Sequence, residues 1–261
     1  MVYQLPAMTQ GDNQFITISD LAYRAEYCAF ATEHIPDLHF GASQDAYQCL
    51  PRYRYTPKGE RIDNVTDWAL NLFRKRYGKS VTKDAIFRYV YAALHDPLWR
   101  ERYAINLRRE FPRLPFHDDF RRWAAWGERL MALHVGYEGV EPWPLERVDT
   151  GEAPGAPVLR SDPATGTIRV DGRTTLRGIP PEAWDYRLGN RSGLDWVLDQ
   201  HRERRVRDRT VEAWLKDNPD ARYRFAPHKE RVVALLARVA RVSVETVGIV
   251  GEMRVLREAE G

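Results

Sequence analysis

The chain has 261 residues, 43% hydrophobic and 30% charged, with a formal net charge of +3. That length can bury a full core in one domain or two close lobes. No run approaches the ~18 apolar residues of a membrane helix, and the first residues lack the basic start and apolar core of a signal peptide. Residues 1–62 form a β-rich first part: Gln14–Ser19 and Tyr27–Thr32 alternate as strands, and the stretch after them is broken by Pro36, Gly41, Pro51 and Pro57. Residues 63–138 read as a bundle of four helices. Asn64 or Thr66 caps the first, which stops at Gly78; Thr82 caps the second, with Ile86, Tyr89, Val90, Ala93 and Leu94 as its buried stripe; Asp96-Pro97 opens the third; Asp118 or Asp119 opens the fourth, which ends near Gly136. Residues 139–166, rich in Pro, Gly and Glu, read as a long surface connection. Residues 167–261 complete the unit. Asp171-Gly172 marks a hairpin between Thr167–Val170 and Arg173–Leu176, Ser192 to Asp195 forms a capping box, Pro227 opens a long helix, and Ser243 restarts a final one. This order predicts an α+β fold whose small β part is split by a helical bundle, with a C-terminal hairpin and helices.

Of the 40 basic residues only six are lysine. Arginine forks to phosphates and guanine edges where lysine acts as a point charge; a GC-rich genome produces the same bias without any function. Cys28 and Cys49 are too few for a disulfide scaffold and fit free thiols in a reducing cytoplasm.

Several motifs, in one order along nearly the whole chain, resemble the C-terminal target-recognition region of type ISP restriction-modification enzymes, bacterial phage-defence proteins. They are Ile35-Pro-Asp-Leu-His39, Gln48-Cys-Leu-Pro51, Thr66-Asp-Trp-Ala-Leu70, Ile86-Phe-Arg-Tyr-Val-Tyr91, Leu94-His95, Tyr103 to Leu107 and Phe111-Pro-Arg-Leu-Pro-Phe116. Gly178-Ile-Pro180, Ser192 to Trp196 and Ser243-Val-Glu-Thr-Val247 follow. The resemblance implies recognition of an asymmetric double-stranded DNA sequence. A nuclease, a RecA-like ATPase, a coupler and an adenine-N6 methyltransferase would lie in the preceding parts of such an enzyme. S-adenosylmethionine, ATP and Mg²⁺ would then belong to those parts, and the methyltransferase core, in the same or a neighbouring chain, would be this chain's partner. Consistent with that division, the sequence has no GxxxxGK[ST] phosphate loop, no Asn-Pro-Pro-Tyr-type adenine pocket and no Gly-rich cofactor turn. Residues 41–48 and 52–62 depart from the family pattern, so no base-reading residue is carried over from it.

The residues themselves nominate a site. Arg52, Arg54, Lys58 and Arg61 alternate with Tyr53 and Tyr55 on a proline-broken loop, Gln44 to Arg61, where they would project into one positive surface. Gln44 and Gln48 are candidates for reading base edges. Arg202, Arg204, Arg205 and Arg207 form the next basic segment, although a solvated helix face explains this run, or Arg74-Lys75-Arg76, as well. Other features read as structural. The six tryptophans Trp123, Trp126, Trp143, Trp184, Trp196 and Trp214 fit core positions. His117-Asp118-Asp119 sits where a helix is capped. Asp37 and His39, with His34 and Asp45 nearby, are too few for a metal site. No catalytic or metal-ligating residue is expected in the chain. A protein-interaction module without DNA binding is the second reading, and an unrelated enzyme the third.

Overall fold

The computed structural model describes residues 13–20, 26–36, 47–151 and 155–260. It shows an α+β fold, with antiparallel sheets and helices in two compact units. One unit comprises residues 1–137 and 248–261, and the other residues 138–247.

The first unit opens with β1 (Phe15–Ser19), β2 (Ala29–Thr32) and β3 (Tyr47–Pro51), an antiparallel sheet in the order β2-β1-β3. Then come β4 (Tyr53–Tyr55) and β5 (Arg61–Asp63), a separate hairpin. The segment expected to be an irregular loop is therefore largely strand. Four helices follow: α1 (Asp67–Tyr77), α2 (Lys83–Ala93), α3 (Pro97–Arg102) and α4 (Phe120–Val135). Their starts are set by side-chain caps, as the sequence suggests: Thr66, Thr82, Asp96 and Asp119 each accept a backbone N–H of the first turn. Helices α2 and α4 cross closely at Gly127, where a Cβ would stand 1.8 Å from the carbonyl oxygen of Arg88. No larger residue fits that approach. Around the crossing, Ile86, Tyr89, Tyr91, Leu94, Trp123, Trp126 and Leu130 are buried, while Val90 is only partly so.

His117 belongs to this core. Its ring lies parallel to Trp123 with centroids 3.6 Å apart, and its Nε2 is 3.4 Å from the buried Asp96 carboxylate. Burial pushes its pKa down to about 4. Asp119, two residues on, caps α4.

The second unit contains β6 (Glu146–Asp149), β7 (Pro157–Asp162), β8 (Thr167–Asp171) and β9 (Thr174–Arg177), one antiparallel sheet in the order β6-β9-β8-β7. The hairpin at Asp171-Gly172 is present, and Asp171 Oδ1 accepts the amides of Arg173 and Thr174 to close it. The expectation of a bare surface connection over 139–166 is corrected, since β6 and β7 flank that hairpin on both sides. Beyond the sheet come α5 (Glu182–Asp185), the short pair β10 (Arg187–Leu188) and β11 (Arg191–Ser192), α6 (Gly193–Gln200), α7 (Arg209–Asp217) and α8 (Lys229–Glu260). Ser192 caps α6 through the Asp195 amide. Ile168, Val170, Leu176, Trp184, Leu194, Val232 and Leu236 make the core.

Helix α8 does not restart at Ser243. It runs unbroken through 32 residues, with Ser243 fully buried in its middle. No proline interrupts it, and Gly248 and Gly251 lower helix propensity without forcing a stop. Val232 to Ala240 serve the core of the second unit, and Ile249 and Met253 that of the first.

Candidate nucleic-acid interface

In the first unit the β4–β5 hairpin sets the geometry. Tyr53 pairs with Asp63, Arg54 with Ile62 and Tyr55 with Arg61. The turn is held by Thr56, whose amide donates to the Glu60 carbonyl at 2.9 Å, and by Gly59 in the left-handed region at φ 83°. Because side chains alternate across a strand, Tyr53, Tyr55 and Arg61 share one face and Arg54 points to the other.

The nominated residues separate by their partners. Arg54 and Lys58 are exposed and make no hydrogen bond or ion pair among the described residues. Arg61 is exposed, its guanidinium 4.4 Å from the Tyr53 ring centroid. Arg52 contradicts the expectation that it projects outward, being only 5% exposed. Its Nε donates to Asp84 Oδ1 at 2.8 Å, and its Nη1 donates to Asp63. Burial alone would lower its pKa, but the hydrogen bonds to Asp63 and Asp84 more than offset this and hold it charged. The physical reason is valence. A guanidinium forked between two carboxylates, one on the hairpin and one on α2, has no free edge for a phosphate. Gln48 is half-buried on β3, and its Nε2 donates to Asp20 at 2.8 Å. Gln44, like Asp37, His39 and Asp45, lies outside the described residues.

In the second unit Arg202 to Arg207 leave the end of α6 as irregular backbone, so the solvated-helix explanation does not hold for this run. Asp199 gathers Arg191 at 2.6 Å, Arg204 at 2.7 Å and Arg202 at 3.8 Å. Burial would raise its pKa, yet the arginines around it hold it below the usual carboxylate value. Glu203 accepts the Phe225 amide at 2.8 Å, and Asp208 caps α7. Arg202 and Arg204 thus shape the segment, whereas Arg205 and Arg207 stand exposed without partners among the described residues. Arg74 and Arg76 are likewise occupied, with the Val81 carbonyl and with Asp118.

One further polar cluster is internally neutralised. Lys229 Nζ lies 2.8 Å from Asp171, and Arg147 lies 2.6 Å from Glu230 and 2.7 Å from Asp149, around a cavity of about 580 Å³. No group of three His, Cys, Asp or Glu side chains positioned to hold a metal ion occurs among the described residues. No helix among them is long and apolar enough to cross a membrane, and both cysteines are free.

Each unit thus carries exposed basic side chains without partners among the described residues, groups of the kind that neutralise phosphate. The family model of the Type ISP C-terminal specificity domain matches residues 2–233, and the chain belongs to that family. Among solved structures it is similar to DrdV, determined by cryo-electron microscopy as a DNA complex, with TM-score 0.86 and 46% identity over 97% of this chain and 26% of that one. LlaGI, a Type ISP restriction-modification enzyme solved as a nuclease-deletion mutant with a DNA substrate mimic, superposes with TM-score 0.72 at 23% identity over 95% of this chain and 22% of that one. LlaBIII, an ATP-dependent Type ISP enzyme solved on DNA, gives TM-score 0.75 at 19% identity over 94% and 16%. The last two likenesses carry the fold alone. The chain thus spans about a quarter or less of the length of each of these proteins. Comparison with curated proteins gave no match.

Proposed function

We propose that this chain reads a specific double-stranded DNA sequence on behalf of a restriction-modification enzyme. It would hold that sequence for an adenine-N6 methyltransferase and a nuclease located in other parts of the assembly. The observation that carries the reading is the 46% identity over 97% of the chain with DrdV, whose structure is a DNA complex. In this reading Arg54, Lys58 and Arg61 on one unit, and Arg205 and Arg207 on the other, contact DNA. Such contacts to phosphates fix register, and contacts to base edges supply sequence discrimination. Arg52 supports the hairpin from beneath, and Arg202 and Arg204, though exposed, brace their segment through Asp199. S-adenosylmethionine, ATP and Mg²⁺ act on the methyltransferase, ATPase and nuclease parts.

The second reading, a protein-interaction module without DNA binding, draws on helix α1. That helix buries no residue; Trp68 is 74% exposed, with Leu72 one turn further on, also exposed. Within the proposed function this apolar face is where the methyltransferase core docks.

The test is a salt titration of binding to duplex DNA with two variants. Arg54→Ala with Lys58→Ala should leave the melting temperature unchanged and reduce the slope of log K against log salt by about 2, near 0.9 for each phosphate no longer neutralised. Arg52→Ala should instead cost about 2–3 kcal/mol of stability, because it deletes charge-assisted hydrogen bonds while leaving Asp63 and Asp84 partly solvated. Unaltered DNA binding by the Arg54/Lys58 variant would remove the hairpin from the interface.

A further inference from the structure

The outer face of the β6-β9-β8-β7 sheet carries an arrangement that stability alone does not favour. Arg160 on β7 stands directly opposite Arg169 on β8. Opposed residues in antiparallel strands have Cβ atoms roughly 4.5–5.5 Å apart, and like charges there repel. Both arginines are exposed, and neither makes a hydrogen bond or ion pair among the described residues. The row across the sheet continues through Thr175 to Val148. The next row holds Asp162 opposite Thr167 and Glu146 opposite Arg177, and neither carboxylate forms an ion pair with the arginines among the described residues.

A bulge produces this exposure. The β7–β8 register shifts between Pro157 and Arg160, and Leu159 adopts φ 46°, a conformation a branched side chain rarely takes. The bulge sends Leu159 into the core and Arg160 outward. The carbonyl it turns aside accepts Arg202 Nη2 at 3.3 Å. The start of the Arg202–Arg207 segment is therefore fastened to β7 one residue from Arg160.

We propose that this sheet face binds the phosphate backbone of duplex DNA, extending the surface of Arg205 and Arg207 across β7 onto β8. The inference rests on the DNA-recognition reading and adds to it a surface built by a β-sheet. A phosphate placed between two opposed guanidiniums accepts from both and turns their mutual repulsion into attraction. Thr175, beside Arg169, offers a hydroxyl to the same strand.

The experiment compares wild type, Arg160→Gln/Arg169→Gln and Arg160→Lys/Arg169→Lys as full chains, by anisotropy with a fluorescent duplex of mixed sequence and by thermal melting. The glutamine pair should melt at or above the wild-type temperature, since a repulsion is removed. It should also lose affinity, with a log K against log salt slope shallower by about 2. The lysine pair, which keeps both charges, should hold the wild-type slope. Wild-type affinity and slope in the glutamine pair, with wild type itself binding, would overturn this inference and leave the hairpin reading standing. Equal losses in the lysine and glutamine pairs would also overturn it, since packing and not charge would then be the cause. Failure of wild type to bind duplex at low salt would remove both readings together.

Discussion

Trp123→Ala should unfold the first unit more readily than a change at any exposed surface position of the chain, costing about 3–5 kcal/mol. The indole is fully buried, lies parallel to His117, and meets Trp126 edge-on with centroids 5.3 Å apart. Truncation leaves a void between α4 and the segment that carries His117. The α2–α4 crossing at Gly127 is already as close as two backbones allow, so the void cannot be filled by collapse of the helices. Chemical denaturation should show a lowered midpoint with the slope retained. A loss below about 1 kcal/mol would show that α4 is not packed as described.

Ile86→Ala should cost about 2–5 kcal/mol, because the side chain is only 3% exposed and sits in the same core. Its control is Lys83→Ala, three residues earlier. Lys83 is not a free surface lysine. It is partly buried and lies 2.7 Å from Asp67, so its removal should cost up to about 1 kcal/mol, the range of a solvent-screened ion pair. Equal and small losses at both positions would mean that the face of α2 turned to the core is a different one.

Local chemistry made much of this fold legible. The helix starts at Thr66, Thr82, Asp96, Asp119 and Ser192 are single side chains satisfying amides two or three residues away, and the Asp171-Gly172 turn is equally local. What distant partners decide was not legible. Strands β6 and β7 lie at the edges of their sheet and read Glu-Arg-Val-Asp and Pro-Val-Leu-Arg-Ser-Asp, with little apolar alternation to mark them. With β7 read as connection, Arg169 had no visible opposite, and the arginine pair could not be recognised. Thr167 to Val170 alone gives the alternation that turns Arg169 outward.

The basic clusters show the same divide. Composition nominates Arg52 and Arg54 equally, yet Arg52 is taken up by Asp63 and by Asp84, which is 32 residues away, while Arg54 has no partner among the described residues. Asp199 similarly claims Arg202 and Arg204 and leaves Arg205 and Arg207. A run of like charges shows where a binding surface can be. Which members remain available depends on carboxylates that the fold brings in. Trp214 makes the same point among the apolar residues: helical spacing places it in a core, yet it is 54% exposed on α7, while Trp123, Trp126 and Trp184 are buried.

Selection from a pool of randomised duplexes tests most directly whether the chain recognises one duplex DNA sequence. The purified chain, immobilised at low salt and washed at rising salt over successive rounds, should retain duplexes that converge on one asymmetric sequence. The enriched duplex should survive salt concentrations that release the starting pool, because base contacts add to the phosphate contacts common to both. Retention without convergence would show a backbone binder with no reading function, and no retention at low salt would contradict DNA recognition by this chain altogether.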